Sequence, residues 1–532
     1  MTGETQFQQR KVGPKAHWPA DPSIPLMSES IGELLRRHAR ERGERTALLW
    51  PVADALQPMT YAELLARSER LASWLLEHAV PGDRIAVWSR NSLSFVLIEY
   101  ACALAGCILT PFNAAWTDFE ARHALALTEP AVVFAGFDVR GVRLQERAQE
   151  LAQDRLVLDI DAALDLAPEK PRPLPPVDAA APFLIQFTSG TTGRAKGAVL
   201  SHRAALNGSY IRPHIEGANS DDVWLNPVPY HHIGGSCVVV LGALSVGGLF
   251  VVLERYDPAQ IAALMPVVRP TRMGGVPTML HTLLEHPGLP KSGLGLKVVT
   301  LGGAFVPATL VRRVEQEMGA QVAIGFGQSE SPMITGTDAS DPPEIIATTV
   351  GRPLPHIEVK IVDPHTHETL GLDEVGEVAV RSPLVMEGYF NQPEATAQAI
   401  DAEGFLYTGD LGRMDGDGIV RLHGRAREMI IRGGENIYPT EVEDALLEHP
   451  AVDGAAVLGI DDVKWGQQVA CVVRLRPGQQ ASPADLEAFA AKRVSHFKVP
   501  RLWAFVDAFP MTASGKVRKT ELTPLFATLP VA

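Results

Sequence analysis

The chain has 532 residues, more than one compact core holds, since single cores stop growing near roughly 250 to 300 residues, so at least two domains are expected. Hydrophobic residues make up 46% and charged ones 21%, while 46 Gly and 41 Pro stay below the fraction that marks low-complexity chain. The 48 basic and 62 acidic residues leave a net charge of −14, which excludes a global basic field for nucleic acid or an anionic membrane surface, so an anionic substrate must meet local cations.

The N-terminus, MTGETQFQQRKVGPKAHW, is polar and lacks the apolar core of a signal peptide, so export by that route is not expected. DRIAVWSR (83 to 90) reads as a strand, and Leu93 to Leu109, interrupted by Glu99 and stopped by Pro111, as a buried core helix. AVVFA (131 to 135) is a second strand, KPRPLPP (170 to 176) a connection, and FLIQF (183 to 187) a third strand. Gly234 to Leu253 carries no charge over about the length that spans a bilayer. Gly247-Gly248 splits it into a helix-length piece and a Val-rich strand, so a buried position is preferred to a membrane span. Asp257-Pro258 opens a helix with an N-cap acid and a first-turn proline, and KVVTLGG (297 to 303) and QVAIGFG (321 to 327) are further strands. Strands alternating with helices predict α/β architecture with parallel-type, buried sheets.

From about Ile357 the pattern turns β-rich, with IEVKIVD, VGEVAVRS and GIVRLHG, and a compact α+β unit of about 105 residues follows. The expected organisation is a large N-terminal domain over 1–426, made of αβ subdomains plus a β-rich subdomain, and a small mobile α+β domain over 427–532. Gly424 and Gly433-Gly434 lie at the junction, where rotation is easily absorbed. Cys102, Cys107, Cys237 and Cys471 are too few and too scattered for a disulfide framework and form no CxxC pair, which points to a reducing cytoplasm.

The most informative segment is FTSGTTGRAKG, Phe187 to Gly197, directly after a strand. Thr188, Ser189, Thr191 and Thr192 supply hydroxyls, Gly190 lets backbone approach, and Lys196 supplies a cation, the set that polyphosphate oxygens require. A Walker A loop would place Ser or Thr after Gly-Lys, and no such run is present.

This loop resembles the phosphate loop of the AMP-forming adenylate ligases, the superfamily of acyl-CoA and aryl-CoA synthetases, firefly luciferases and peptide-synthetase adenylation domains. It departs from their pattern at Ala195, where the family usually has Pro. In family order follow GGA (Gly302, Gly303, Ala304), FGQSE (Phe326 to Glu330), YTGD (Tyr407 to Asp410), GRAREMIIRGGENIYPTEVE (Gly424 to Glu443) and PMTASGK (Pro510 to Lys516). Their order and their spread over more than 300 residues argue against coincidence, and the chain most resembles the acyl-CoA synthetases of that superfamily.

The resemblance implies a role for each matched residue. Gly302, Gly303 and Ala304 border the adenine and acyl group. Phe326 stacks on the purine beside Gly327, Ser329 reaches a phosphate, and Glu330 supplies a hard oxygen to Mg²⁺. Asp410 and Arg425 hold the ribose. Lys516 bridges the carboxylate and the α-phosphate as charge develops. The hinge falls near Arg427, and rotation there exchanges Lys516 for the RGGENIYP segment, with Gly433 and Gly434 lining a pantetheine tunnel. Taken singly, Glu330 would be a loop acid, Arg425 a surface ion pair and Lys516 a surface lysine.

The implied activity is ATP-dependent conversion of a carboxylic acid to an acyl-adenylate, then transfer to coenzyme A giving acyl-CoA, AMP and pyrophosphate, with Mg²⁺ as cofactor. NPVPYHHIGGSC (226 to 237) resembles the start of the acyl pocket, with His232 as a gate of the carboxylate channel, and no Asp follows to hold a substrate ammonium. Pocket-wall candidates are Ile233, Gly234, Val276, Pro277, Ala304, Gly325, Ser331 and Met333, mostly small or apolar, which favours a fatty or other aliphatic acid, with an aryl acid as the second choice. Trp465 and Phe497 resemble CoA contacts, with core packing the bland alternative. The alternatives are a ligase that loads a separate carrier protein, and a non-catalytic nucleotide or acyl binding module. A homodimer is compatible with the sequence, which does not demand one.

Overall fold

The computed structural model describes residues 12–526 apart from 54, 171, 189–194, 291–292, 304–305, 426–427, 433–434, 463–464 and 512–516. The candidates Ser189, Gly190, Thr191, Thr192, Ala304, Arg427, Gly433, Gly434 and Lys516 lie outside the described residues.

The chain forms two compact units. One comprises Trp18–Val359 and Val380–Leu406; the other comprises Lys360–Ala379 and the chain from Tyr407, with a short stretch ending at His17. Two large sheets organise the first unit. In one, seven strands run in the order Gly388–Tyr389, Lys196–Ser201, Pro182–Thr188, Ile108–Phe112, Arg84–Trp88, Val132–Ala135, Leu156–Asp159. Its five strands from Pro182–Thr188 to Leu156–Asp159 pair in parallel, and the two on the other edge are antiparallel. The nine-stranded sheet likewise has a parallel centre, Gln321–Gln328, Val298–Gly302, Arg272–Gly275, Val223–Leu225, Leu249–Val251 and Thr46–Val52. Continuous apolar runs such as VVFA and VVTLG are what parallel strands covered on both faces need.

The apolar segment from Leu93 forms a helix over Leu93–Ala105, capped by Ser92, which accepts from the Phe95 N–H, and ended by Gly106 in the left-handed region at φ 72°. Every residue after Leu93 in that helix is buried, Glu99 included. The uncharged run at 234–253 divides as the glycines predict: helical turns over Gly234–Leu241 and Gly242–Val246, then the strand Leu249–Val251. Among the described residues no helix is long and apolar enough to cross a membrane. Asp257 caps the helix Pro258–Val268, its Oδ1 accepting from Ala259 N at 3.0 Å and Gln260 N at 3.2 Å.

The β-rich run provides Glu358–Val362, Gly376–Arg381, Leu406–Met414 and Val420–Arg425, consecutive members of a five-stranded sheet. Further along, the second unit pairs Val452–Asp462 with Gly466–Leu475 and covers the sheet with the helices Pro439–Leu447 and Pro483–Ala490. Ile430, Val442, Leu446, Val457, Val469, Cys471 and Leu486 make its core. All four cysteines are buried thiols.

Candidate active site

The described ends of the segment FTSGTTGRAKG belong to two paired strands. Pro182–Thr188 and Lys196–Ser201 are antiparallel with Thr188 opposite Lys196, so the two described ends of the loop face each other. Phe187 anchors the first strand by edge contacts with Phe112 and Trp116, ring centroids 5.7 and 5.1 Å away. At the departure from the family pattern, the Ala195 carbonyl accepts a hydrogen bond from His123 Nε2 at 2.9 Å. This side-chain contact holds the loop base where proline would have held it by ring geometry.

Glu330 sits in the turn between Gln321–Gln328 and Ser331–Gly336 and is 8% exposed. Its Oε1 accepts a 2.8 Å hydrogen bond from the Tyr389 hydroxyl, and its backbone carbonyl accepts from Met386 N at 2.8 Å. The Lys196 ammonium lies over the Tyr389 ring, 4.7 Å from the centroid. Burial, followed by the adjacent Glu330 charge, pushes the Tyr389 phenol well above its usual range, so the hydroxyl stays a donor. Lys196 and Glu330, 134 positions apart in sequence numbering, thus share one tyrosine that lies outside every motif. Its only local signal is GYF ahead of the Pro393 helix start. Beside Glu330, Ser331 Oγ and Gln328 Nε2 are buried without a hydrogen-bond partner among the described residues, which leaves polar atoms for a ligand to satisfy.

Two of the candidate glycines are required by the neighbouring backbone. A Cβ on Gly302 would stand 2.7 Å from the carbonyl oxygen of Gly325, its parallel partner, and one on Gly327 would stand 2.2 Å from that of Pro332. Gly327 falls within the irregularity between Phe326 and Gln328, where the strand breaks register before the Glu330 turn. Two wall candidates meet, the missing Cβ of Gly325 pointing at Met333 Cε, 3.1 Å away, while that of Gly303 points at the wall candidate Val276, 3.8 Å from its Cγ1.

His232 Nδ1 accepts from the Gly234 N–H at 3.1 Å. An accepting Nδ1 puts the proton of the neutral ring on Nε2, a donor suited to a carboxylate. Its neighbour His231 is held neutral, its pKa lowered to about 3 by burial and then by His232.

In the second unit, register pairs Asp410 with Arg425, Nε to Oδ1 2.9 Å, and Arg425 Nη1 also donates to the Thr408 carbonyl at 3.3 Å. The Asp410 N–H donates to Thr408 Oγ1, which itself donates to the Val378 carbonyl. Trp465 is 38% exposed with the Arg432 guanidinium 4.7 Å from its ring centroid, a flat cationic and aromatic face. Phe497 instead packs against the core of the unit.

Comparison with known proteins agrees with the sequence resemblance. The family model of AMP-binding enzymes matches residues 35–390, and that of the AMP-binding enzyme C-terminal domain matches 441–516. A methyl-dioxo-octahydroindenyl-propanoyl:CoA ligase of Rhodococcus jostii (strain RHA1) is 35% identical over 92% of this chain and 97% of its own. A feruloyl-CoA synthase of an Amycolatopsis species is 34% identical over 94% of this chain and all of its own. Among solved structures, ATP-bound MatB from Rhodopseudomonas palustris superimposes with a TM-score of 0.83 at 29% identity, covering 94% of this chain and 100% of that one.

Proposed function

We propose a division of labour among these residues from one premise: the chain belongs to the family of AMP-binding enzymes. It is an AMP-forming acid–thiol ligase, which uses ATP with Mg²⁺ to convert a carboxylic acid to an acyl-adenylate and passes the acyl group to coenzyme A. The contact of Lys196 and Glu330 with the same tyrosine carries the reading of the site, because it joins a phosphate-binding cation to a metal-binding carboxylate.

The hydroxyls and amides of Thr188, Ser189, Gly190, Thr191 and Thr192, with Lys196, hold the polyphosphate. Phe326 and Gly327, with Gly302, Gly303 and Ala304, border the adenine; Ser329 donates to a phosphate; Asp410 accepts from the ribose hydroxyls and Arg425 holds that carboxylate in place. Glu330 suits Mg²⁺, which takes one or two carboxylates and completes its shell with phosphate and water rather than with an all-protein cage. When bound, the cation neutralises charge on the polyphosphate. His232 offers Nε2–H to the entering carboxylate. Its oxygen attacks the α-phosphorus, the bond to pyrophosphate breaks, and Lys516 neutralises the charge gathering between the two groups. Rotation near Arg427 then withdraws Lys516, and the thiol of coenzyme A, guided past Gly433 and Gly434 with Trp465 near its entrance, attacks the carbonyl and expels AMP.

The substrate is a monocarboxylic acid with an apolar body. Ile233, Val276 and Met333 supply apolar surface, no acid follows His232 to hold an ammonium, and relatives carry names of aryl and fused-ring acids. The domain boundary at 426/427 and a cytoplasmic location belong to the same proposal, the latter supported by four buried thiols. The test is ATP–pyrophosphate exchange over a panel of aliphatic, aryl and amino acids, followed by AMP release with and without coenzyme A. Exchange with apolar acids and CoA-dependent AMP release are expected. Exchange with no acid removes the adenylation reading, and exchange without CoA-dependent turnover transfers the product to a carrier protein.

A further inference from the structure

Tyr389 occupies a place that neither phosphate binding nor metal binding by itself requires. The segment around it is strapped to both sides of the site by backbone bonds. Met386 N donates to the Glu330 carbonyl, while Glu387 N donates to Val199 O and Phe390 N to Gly197 O, each at 2.8 Å. Gly388 and Tyr389 pair with Val199 and Ala198, so they extend the sheet beside the strand that begins with Lys196. Tyr389 N donates to Thr396 Oγ1 at 2.8 Å, which ties the strap to the helix Pro393–Ala399. The ring is thereby held by main chain, with its face toward the Lys196 ammonium and its hydroxyl on Glu330 Oε1.

A lysine over the ring face and a nearly buried glutamate at the hydroxyl of the same ring are expected to pair directly if the ring is removed, because their attraction grows as water is excluded. They form no ion pair with each other among the described residues. A direct pair would cost the site twice, since the ammonium would no longer face phosphate and the carboxylate would no longer face a cation. The hydroxyl engages one carboxylate oxygen and leaves Oε2 without a hydrogen bond from the described residues.

We propose that Tyr389 is a positioning residue that keeps Lys196 and Glu330 apart, leaving the ammonium for the ATP phosphates and Glu330 Oε2 for Mg²⁺. The inference rests on the roles proposed above for Lys196 and Glu330. It assigns separate tasks to the two parts of the side chain: the ring face holds the ammonium, and the hydroxyl orients the carboxylate.

The test is calorimetric titration of the full chain with ATP, in Mg²⁺ and in chelator, for the wild type, Tyr389→Phe, Tyr389→Leu and Tyr389→Leu combined with Glu330→Gln, with melting temperatures taken alongside. Tyr389→Phe should bind Mg²⁺-free ATP within about twofold of wild type and lose about tenfold of the gain that Mg²⁺ confers, the scale of one charge-assisted hydrogen bond. Tyr389→Leu should also lose about tenfold in chelator, because Lys196 turns to Glu330, and Glu330→Gln in that background should restore Mg²⁺-free binding. A wild-type Mg²⁺ response in Tyr389→Phe overturns the proposal, as does a loss in Tyr389→Leu that Glu330→Gln leaves unrelieved. Wild-type protein that binds ATP but gains nothing from Mg²⁺ defeats the role of Glu330 itself, a different failure read in the same titration.

Discussion

Asp410 and Arg425 stand opposite each other on adjacent antiparallel strands, Nε 2.9 Å from Oδ1, with the carboxylate side chain 9% exposed and the guanidinium 35% exposed. Strand register, rather than a flexible loop, sets this pair. The buried carboxylate is held by the partly exposed guanidinium, and burying a charge is a cost that a ligand acceptor justifies better than stability does. Asp410→Ala should raise the KM for ATP about 10- to 100-fold, the scale of hydrogen bonds to a charged group. Arg425→Lys should raise it less, since lysine keeps the charge and loses the fork. Steady-state exchange kinetics check this, and an unchanged KM with a lowered melting temperature would make the pair structural.

Lys516→Ala should reduce adenylation by about two to three orders of magnitude, the effect of removing one preorganised donor at developing charge. Supplied acyl-adenylate should still be converted to thioester at close to the wild-type rate. Equal loss in both half-reactions would sink the idea that the small domain alternates between two tasks.

His202 is fully buried against Phe183, ring centroids 4.9 Å apart, and neither ring nitrogen has a hydrogen-bond partner among the described residues. Burial lowers its pKa from 6.5 to about 3. The unfolded chain therefore takes up a proton as pH falls through 6.5, while the folded chain does so only near 3. Stability is lost across that window by about 1.4 kcal/mol per pH unit for this one group. His202→Phe should remove one proton from the uptake on unfolding between pH 6 and 4, read from urea midpoints across roughly that range. A variant as acid-sensitive as the wild type would contradict the assignment.

Glu99 has the opposite sign. It lies inside the helix Leu93–Ala105 with both carboxyl oxygens unpartnered among the described residues, and burial alone holds its pKa well above 4.5. The folded chain keeps this proton when the unfolded chain has lost it, so its contribution is fully present below pH 4.5 and is lost as pH rises through the folded value. Glu99→Met should stabilise the protein at about pH 8 by about 1 to 3 kcal/mol, the cost of an unpaired buried polar group. Glu99→Gln should flatten the alkaline dependence while keeping an unpaired amide. Destabilisation by both variants at alkaline pH would mean the carboxylate has a partner there.

The local structure was legible because local rules govern it. AVVFA and KVVTLGG read as buried parallel strands, Asp257-Pro258 as a helix start and Gly247-Gly248 as a break in an apolar run, and each stands so in the fold. The motifs were legible because hydroxyls, glycines and a lysine packed into eleven residues have few uses besides phosphate.

Which motif residues touch is a different kind of fact. The chain's own residue order carries the strand and helix periods, the caps and the family to which the enzyme belongs. Tertiary structure alone decided that Gly302 answers to the Gly325 carbonyl, that His123 holds the Ala195 carbonyl, and that Lys196 and Glu330 meet on Tyr389. The reason is distance along the chain. Strand and helix periods act over a few residues, whereas these contacts join positions 23 to 193 apart and exist only where the fold brings separate strands, a helix and turns side by side.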